Sequence, residues 1–206
     1  SGSLGMNLSP GNWRIATGIL RRPVMDSQLS YAGKPDANTG KNWGGVSRTG
    51  GKLNVGYDGD RVGAYTSVGF FTLDGHNVDT NREVDFGAGV YSRLVREPDT
   101  KVTIGLSFTG FGYEKNLSNF SFGQGGYFSP KLYTSVTVPV EWTGYMGSFT
   151  YQVKASLGYA AFRTDGNVYY PGFQILQDNL VTFAAANPTL NLATGYPSKN
   201  SSGVSY

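Results

Sequence analysis

Long stretches of strict apolar–polar alternation constrain this chain more than any other feature. In the segment KVTIGLSFTGF (101–111), Val102, Ile104, Leu106 and Phe108 are apolar, and the residues between them are small or polar. A period of two places successive side chains on opposite faces of an extended strand. The alternation therefore predicts strands that have one apolar face and one polar face.

Similar alternation recurs along the chain, and no segment has a convincing helical period. Seven strands are predicted, at residues 13–20, 51–57, 62–73, 83–95, 101–111, 131–142 and 148–162. Several of them contain eleven to fifteen residues. Strands of globular proteins usually contain about 5–6 residues, whereas a tilted strand that crosses a membrane needs about 9–11. The strand lengths therefore favour a membrane-spanning sheet.

The connections between these strands alternate in length. Long or medium connections are predicted at 21–50, 74–83, 112–130 and after 162, and short ones at 58–61, 96–100 and 143–147. Outer-membrane barrels have short periplasmic turns and longer extracellular loops. The pattern predicts an all-β fold, an antiparallel up-and-down transmembrane β-barrel of the outer-membrane type. A soluble carbohydrate-binding β-sandwich is the alternative, and independence from detergent would identify it.

The number of strands indicates that this chain holds only part of a barrel. Seven strands and their loops use most of residues 12–162, and the final SSGVSY has the pattern of another strand. A barrel must close, because an open edge in lipid leaves backbone groups unpaired. We therefore expect residues 1–206 to form one partial barrel domain. Residues 1–11, which begin Ser-Gly-Ser, are interpreted as a linker or a cloning remnant.

Composition excludes several classes of function. The chain has no cysteine, one histidine and a formal charge of +3 without a block of lysine or arginine. Disulfides, thiolate metal sites and multi-histidine metal sites are therefore excluded, and the footprint of a nucleic-acid-binding protein is missing. Nothing around His76 resembles a nucleophile elbow. We expect no catalytic residues, no metal and no cofactor.

Three segments carry a specific resemblance to a known protein family. They are RRPVMDSQLSYAGKPDANTGKNWGGV (21–46), GFGYEKNLSNFSFGQGGYFSPK (110–131) and VPVEW (138–142). They closely resemble the C-terminal domain of the bacterial cellulose synthase operon protein C (BcsC) family, and the resemblance runs from about Leu20 to Pro171. It implies a sixteen-stranded barrel in the bacterial outer membrane, preceded by periplasmic tetratricopeptide repeats.

The family resemblance also implies a function. It is the export of nascent cellulose, a β-1,4-glucan, to the cell exterior during biofilm formation. The implied partners are the glucan, outer-membrane lipid, the periplasmic helical repeats and the inner-membrane cellulose synthase complex. A general porin or a channel for another exopolysaccharide is the alternative.

Two long loops carry the first group of candidate residues. Glycines let a backbone turn tightly or approach a polymer, and aromatic rings suit the apolar faces of sugars. These residues either line the polysaccharide path and gate it, or they shape turns and pack against the wall. Trp43 has two further alternatives: it anchors the loop, or it lies at the membrane interface. The candidates are Asp26, Tyr31 and Trp43 in the first loop, and Gly125, Gly126, Tyr127 and Phe128 in the second.

The second group of candidate residues lies on the polar side of the strands, because that side would line the lumen. These residues either present hydroxyls and mixed charges to a polymer or pair with one another across strands and stiffen the wall. The candidates are Tyr65, Asp85, Tyr91, Arg93, Lys101, Glu141 and Lys154.

Overall fold

The computed structural model describes residues 1–37 and 39–205, and most of these residues lie in strands. The strands are β1 (Gly2–Leu8), β2 (Trp13–Pro23), β3 (Lys34–Pro35), β4 (Asn42–Asp58), β5 (Val62–His76), β6 (Val78–Arg96), β7 (Thr100–Tyr113), β8 (Leu132–Met146), β9 (Phe149–Thr164), β10 (Asn167–Val168), β11 (Gly195–Tyr196) and β12 (Lys199–Ser205). The helices are α1 (Gln28–Ala32), α2 (Gln174–Ala186) and a 3₁₀ turn at Pro188–Leu190.

The main sheet is antiparallel and follows the order of the chain. Its strands are hydrogen-bonded in the order β1-β2-β4-β5-β6-β7-β8-β9-β12, while β3 pairs with β4 alone and β10 pairs with β11. In the part of the chain that the structure describes, β1 and β12 are the two edges and do not pair with each other. The fold is therefore the all-β, up-and-down antiparallel arrangement that the sequence predicts. The open sheet is consistent with part of a barrel.

The two faces of the sheet differ sharply in polarity. Across the strands, Val90 pairs with Leu106, and Ser67 pairs with Gly87 on the opposite face. Large apolar side chains are exposed along the first face, including Ile19, Phe70 and Leu157. We call the apolar face, which carries Val90 and Leu106, the outer face. The opposite face, which carries Ser67 and Gly87, is the inner face. An exposed apolar surface of this extent indicates an apolar environment.

The register places the seven predicted lumen residues together on the inner face. Arg93 pairs with Thr103, which pairs with Glu141, and Glu141 pairs with Lys154. The other four lie in register with inner-face residues of neighbouring strands: Tyr65, Asp85, Tyr91 and Lys101. These seven residues therefore share one face of the sheet.

One end of the sheet carries short turns, whereas three of the four described connections at the other end are long. The turns at 9–12, 59–61, 97–99 and 147–148 lie at one end. The opposite end carries three long connections, which we call loop A (residues 24–41), loop B (residues 114–131) and loop C (residues 165–198). The medium connection expected at 74–83 is wrong, because β5 and β6 extend to a tight turn at Asn77, which has a φ of 49°.

Two further expectations from the sequence need correction. Residues 2–8 are not a linker, because β1 pairs with β2 from Gly2 to Leu8. The chain also contains a clear helix, α2, although no helical period was expected. The strand expected at the end of the chain is present as β12, which pairs with β9. Among the described residues, no helix is long and apolar enough to cross a membrane.

Candidate functional site at the loop-bearing end

Loop A is held against the sheet by its own short helix and by Trp43. The hydroxyl of Ser27 accepts the Ser30 N–H and caps α1. Leu29 from this helix, Trp43 at the start of β4 and Phe122 from loop B form a buried cluster. Trp43 is only 2% exposed, and its ring lies 5.9 Å from that of Phe122. Trp43 therefore anchors loop A against loop B.

The glycine-rich stretch of loop B, residues 123–126, forms a tightly hydrogen-bonded turn. The carbonyl oxygen of Leu117 accepts the N–H groups of Gly125 and Gly126, each at 3.0 Å. Gly126 has a φ of +64°, a conformation that favours glycine. The Ser129 hydroxyl accepts the Leu117 N–H at 2.7 Å. Tyr127 is 1% exposed, so its ring supports the loop from inside.

A buried asparagine on β6 connects loop B to the sheet. The side-chain amide of Asn81 donates to the Lys115 carbonyl at 2.8 Å and to the Tyr127 hydroxyl at 3.1 Å. Its oxygen accepts the N–H groups of Lys115 and Arg82. Burial raises the pKa of Tyr127 above the usual tyrosine value, because it disfavours the charged phenolate. A satisfied polar group of this kind fixes one arrangement of the loop.

Loop C packs against loop B. Asn116 donates to the Asp165 carbonyl and Gln124 donates to the Val168 carbonyl, at 2.7 and 3.0 Å. A Cβ atom on Gly123, which has a φ of +95°, would collide with the backbone of loop C. Loops A, B and C are thus joined into one layer, which we call the cap.

The three remaining loop candidates have exposed side chains. The carboxylate of Asp26 accepts the Phe128 N–H at 3.0 Å and so ties loop A to loop B. Phe128 remains 38% exposed. Tyr31 on α1 is also exposed.

An ion-pair cluster lies on the inner face beneath the cap. Arg48 binds Glu83 through two hydrogen bonds of 2.6 and 2.7 Å, and it reaches Asp85 at 3.1 Å. Lys52 lies 3.2 Å from the second oxygen of Asp85. The Arg48 guanidinium also stacks 3.3 Å above the Phe71 ring. Bidentate, charge-assisted pairing of this kind is strong and directional.

Four aromatic rings meet on the inner face beside this cluster. Phe111 and Tyr133 stack with centroids 4.6 Å apart. Phe128 meets these two rings and Phe162 nearly at right angles, at 5.2–6.4 Å. The sequence analysis did not select Phe111, Tyr133 or Phe162. Each occupies a position that the alternation assigns to the polar face of its strand. A large aromatic side chain at such a position was the signal that could have found them.

Three of the inner-face candidates nearer the short turns have polar partners. Tyr91 donates to Asp58 at 2.6 Å, and Arg93 also binds Asp58. Glu141 accepts a hydrogen bond from Gln152. The structure therefore brings Asp85, Asp26 and Phe128 together at the loop-bearing end and separates them from the Tyr91–Arg93 cluster. Within residues 1–37 and 39–205, no group of three or more histidine, aspartate and glutamate side chains could hold a metal ion.

An open up-and-down sheet with an apolar outer face, a polar inner face and a loop cap at one end belongs to the class of β-barrel wall domains. The family model described as "Cellulose synthase operon protein C C-terminus" matches residues 3–206. The chain therefore belongs to this family.

Curated relatives agree with this assignment. The chain is 38% identical over 166 residues to "Cellulose synthase operon protein C" of Pseudomonas fluorescens, with 81% of this chain and 13% of the relative covered. It is 36% identical over 193 residues to the protein of the same name from Xanthomonas axonopodis, with 90% and 13% covered. It is 38% identical over 176 residues to "Cellulose synthase 2 operon protein C" of Komagataeibacter xylinus, with 85% and 13% covered. The chain thus spans 13% of the length of these relatives.

Proposed function

We propose that this chain forms part of the wall and the outer cap of a channel through which a cellulose chain crosses the bacterial outer membrane. The names of the relatives connect the family with a cellulose synthase operon. One observation carries the proposal. Large apolar side chains are exposed along one face of the sheet, while the opposite face is polar and capped by loops at one end.

The orientation follows from the lengths of the connections. Outer-membrane barrels place short turns in the periplasm and long loops outside the cell. The cap then lies at the extracellular exit, and the Asp58–Arg93 cluster lies at the periplasmic entrance.

Export in this proposal is passive. The polymerising synthase in the inner membrane pushes the glucan, and periplasmic helical repeats guide it to the barrel. The inner wall offers hydroxyls, glycines and paired charges, so each contact with the polymer is weak. Weak contacts at many positions allow movement, whereas one tight site would stop it. The proposal assigns no chemical step to this chain.

The test is conductance of the full-length protein in a planar bilayer with added oligosaccharides. Cellohexaose and maltohexaose have the same composition and number of sugars but differ in linkage. Transient current block by cellohexaose that exceeds block by maltohexaose is the expected result. Equal block by both sugars would indicate a general sugar porin, and steady current with neither would contradict a glucan channel.

A cellular measurement completes this test. In a strain that lacks the full-length protein, cellulose should remain in the periplasm although synthase activity persists. Complementation should restore cellulose at the cell surface. Surface cellulose at wild-type amounts without the protein would refute the export role.

A further inference from the structure

A cavity of about 600 Å³ lies between loop A and the inner face. This volume falls within the range of about 300–1,000 Å³ that is typical of small-molecule sites. Its lining combines the aromatic rings of Phe111 and Tyr65 with the polar side chains of Asp26, Lys52 and Asp85. Carbohydrate ligands present both apolar faces and hydroxyls, so a lining of this mixed type suits them.

The charges of the cavity cancel. Three cationic and three anionic side chains line it: Arg22, Arg48, Lys52, Asp26, Glu83 and Asp85. The innermost of these are paired directly, through Arg48 to Glu83 and Lys52 to Asp85. A cavity with balanced, paired charges has no net field that would attract an anionic polymer. The charge balance therefore favours a neutral ligand.

The aromatic wall leaves surface available for a ligand. Phe111 stacks on Tyr133 and is also in contact with the cavity. Tyr65 is exposed, and its hydroxyl is held by Ser107 at 2.9 Å. Rings that are fixed in this way lose little conformational freedom when a ligand stacks on them.

The Asp85 carboxylate keeps capacity for a further donor. Arg48 and Lys52 contact its two oxygens at 3.1 and 3.2 Å, and 17% of the side chain remains exposed. A carboxylate has about four acceptor positions, so a sugar hydroxyl can donate to Asp85 beside these two cations. Hydrogen bonds to charged acceptors are stronger than those between neutral groups.

We propose that this cavity is a binding subsite for an unsubstituted, neutral glucan segment, in which sugar rings stack on Phe111 and a hydroxyl donates to Asp85. The inference rests on the proposed channel function and deepens it. It places the contact on the wall beneath the cap, and it makes charge balance the determinant of polymer selectivity.

The first test compares two phenylalanines of β7 that face opposite ways. Calorimetry on the full-length protein in nanodiscs would measure binding of cellohexaose to the wild type, Phe111→Leu and Phe108→Leu. Loss of an aromatic contact should weaken binding about threefold to tenfold in Phe111→Leu. Phe108 lies on the outer face, where it contacts Phe86, so its variant should bind as the wild type does. Equal affinities of all three proteins would overturn the subsite.

The second test changes the charge of the cavity. Asp85→Asn gives the cavity one excess positive charge, and Lys52→Gln gives it one excess negative charge. Cellohexaose that is carboxylated at its C6 positions is the matched anionic probe. Asp85→Asn should bind this probe more tightly than the wild type does, and Lys52→Gln should bind it more weakly, with both differences reduced by salt. Unchanged affinity of both variants for the anionic probe would refute selectivity by charge balance.

These results separate the subsite from the channel. Wild-type export together with equal cellohexaose affinities would discard the subsite and keep the channel function. Selective binding by a protein without export or conductance would discard the channel function and keep a glucan site.

Discussion

The change Asn81→Ala tests whether one buried side chain holds loop B in place. Asn81 is completely buried and makes hydrogen bonds to Lys115, Tyr127 and Arg82. Alanine removes all of these bonds without adding bulk. The loop should then open more often, while the sheet keeps its strand pairing.

The size of the effect follows from the groups that lose a partner. In loop B these groups are the N–H and the carbonyl of Lys115 and the hydroxyl of Tyr127, whereas the Arg82 N–H belongs to β6 and does not bear on loop opening. Each lost hydrogen bond costs about 1 kcal/mol, so the closed loop should lose about 3 kcal/mol. That loss corresponds to roughly a hundredfold increase in the population of the open loop.

Hydrogen exchange of the full-length protein measures this opening. The informative amides are those of Gly125 and Gly126, which both donate to Leu117. Their exchange should accelerate about a hundredfold in Asn81→Ala. Asn54→Ala is the matched control, because Asn54 is exposed on β4, and its exchange should match the wild type. Wild-type exchange at both glycines in Asn81→Ala would refute the role of Asn81 as the loop's attachment.

Three further predictions concern the cap and the wall. Gly123→Ala should detach loop C, because the new Cβ would collide with the backbone of Gly172, and limited proteolysis would detect the freed loop. Since burial raises the pKa of Tyr127, its contribution to loop stability is complete below about pH 10 and declines as the pH rises towards the raised value. Proteolysis of loop B should therefore increase above about pH 10 in the wild type, and Tyr127→Phe should remove the part of this increase that comes from Tyr127. Leu106→Arg on the outer face should lower stability in a bilayer by about 2–4 kcal/mol, whereas Ser107→Arg on the inner face should be tolerated, and urea titration in liposomes would compare them.

The faces of the strands could be predicted because they depend on local alternation alone. Successive side chains of a strand point to opposite faces whatever the strand pairs with. The burial of Trp43 could not be predicted in the same way, because it depends on Phe122, which arrives from another loop. The partners of Asn81 are likewise set by loop B, which folds back over the sheet.

The two missed elements have different physical causes. In β1, the apolar residues Leu4, Met6 and Leu8 alternate with small or polar ones, so the pattern of a strand was present directly after the Ser-Gly-Ser start. In α2, Ile175 and Phe183 are both exposed, so the helix lacks the single buried stripe that produces a helical period. A short helix within a loop can form without that pattern when its neighbours hold its ends.

A hydrophobic core joins loop B of the cap to strands β4 and β5, and this core is distinct from the apolar outer face of the sheet. Val46, Leu73, Leu117 and Tyr127 are shielded from water by one another. Their packing is driven by the hydrophobic effect in water, whereas the proposed channel function places the outer face against lipid. The same chain therefore contains one part that a change of detergent should destabilise and another that should respond to urea in the aqueous phase.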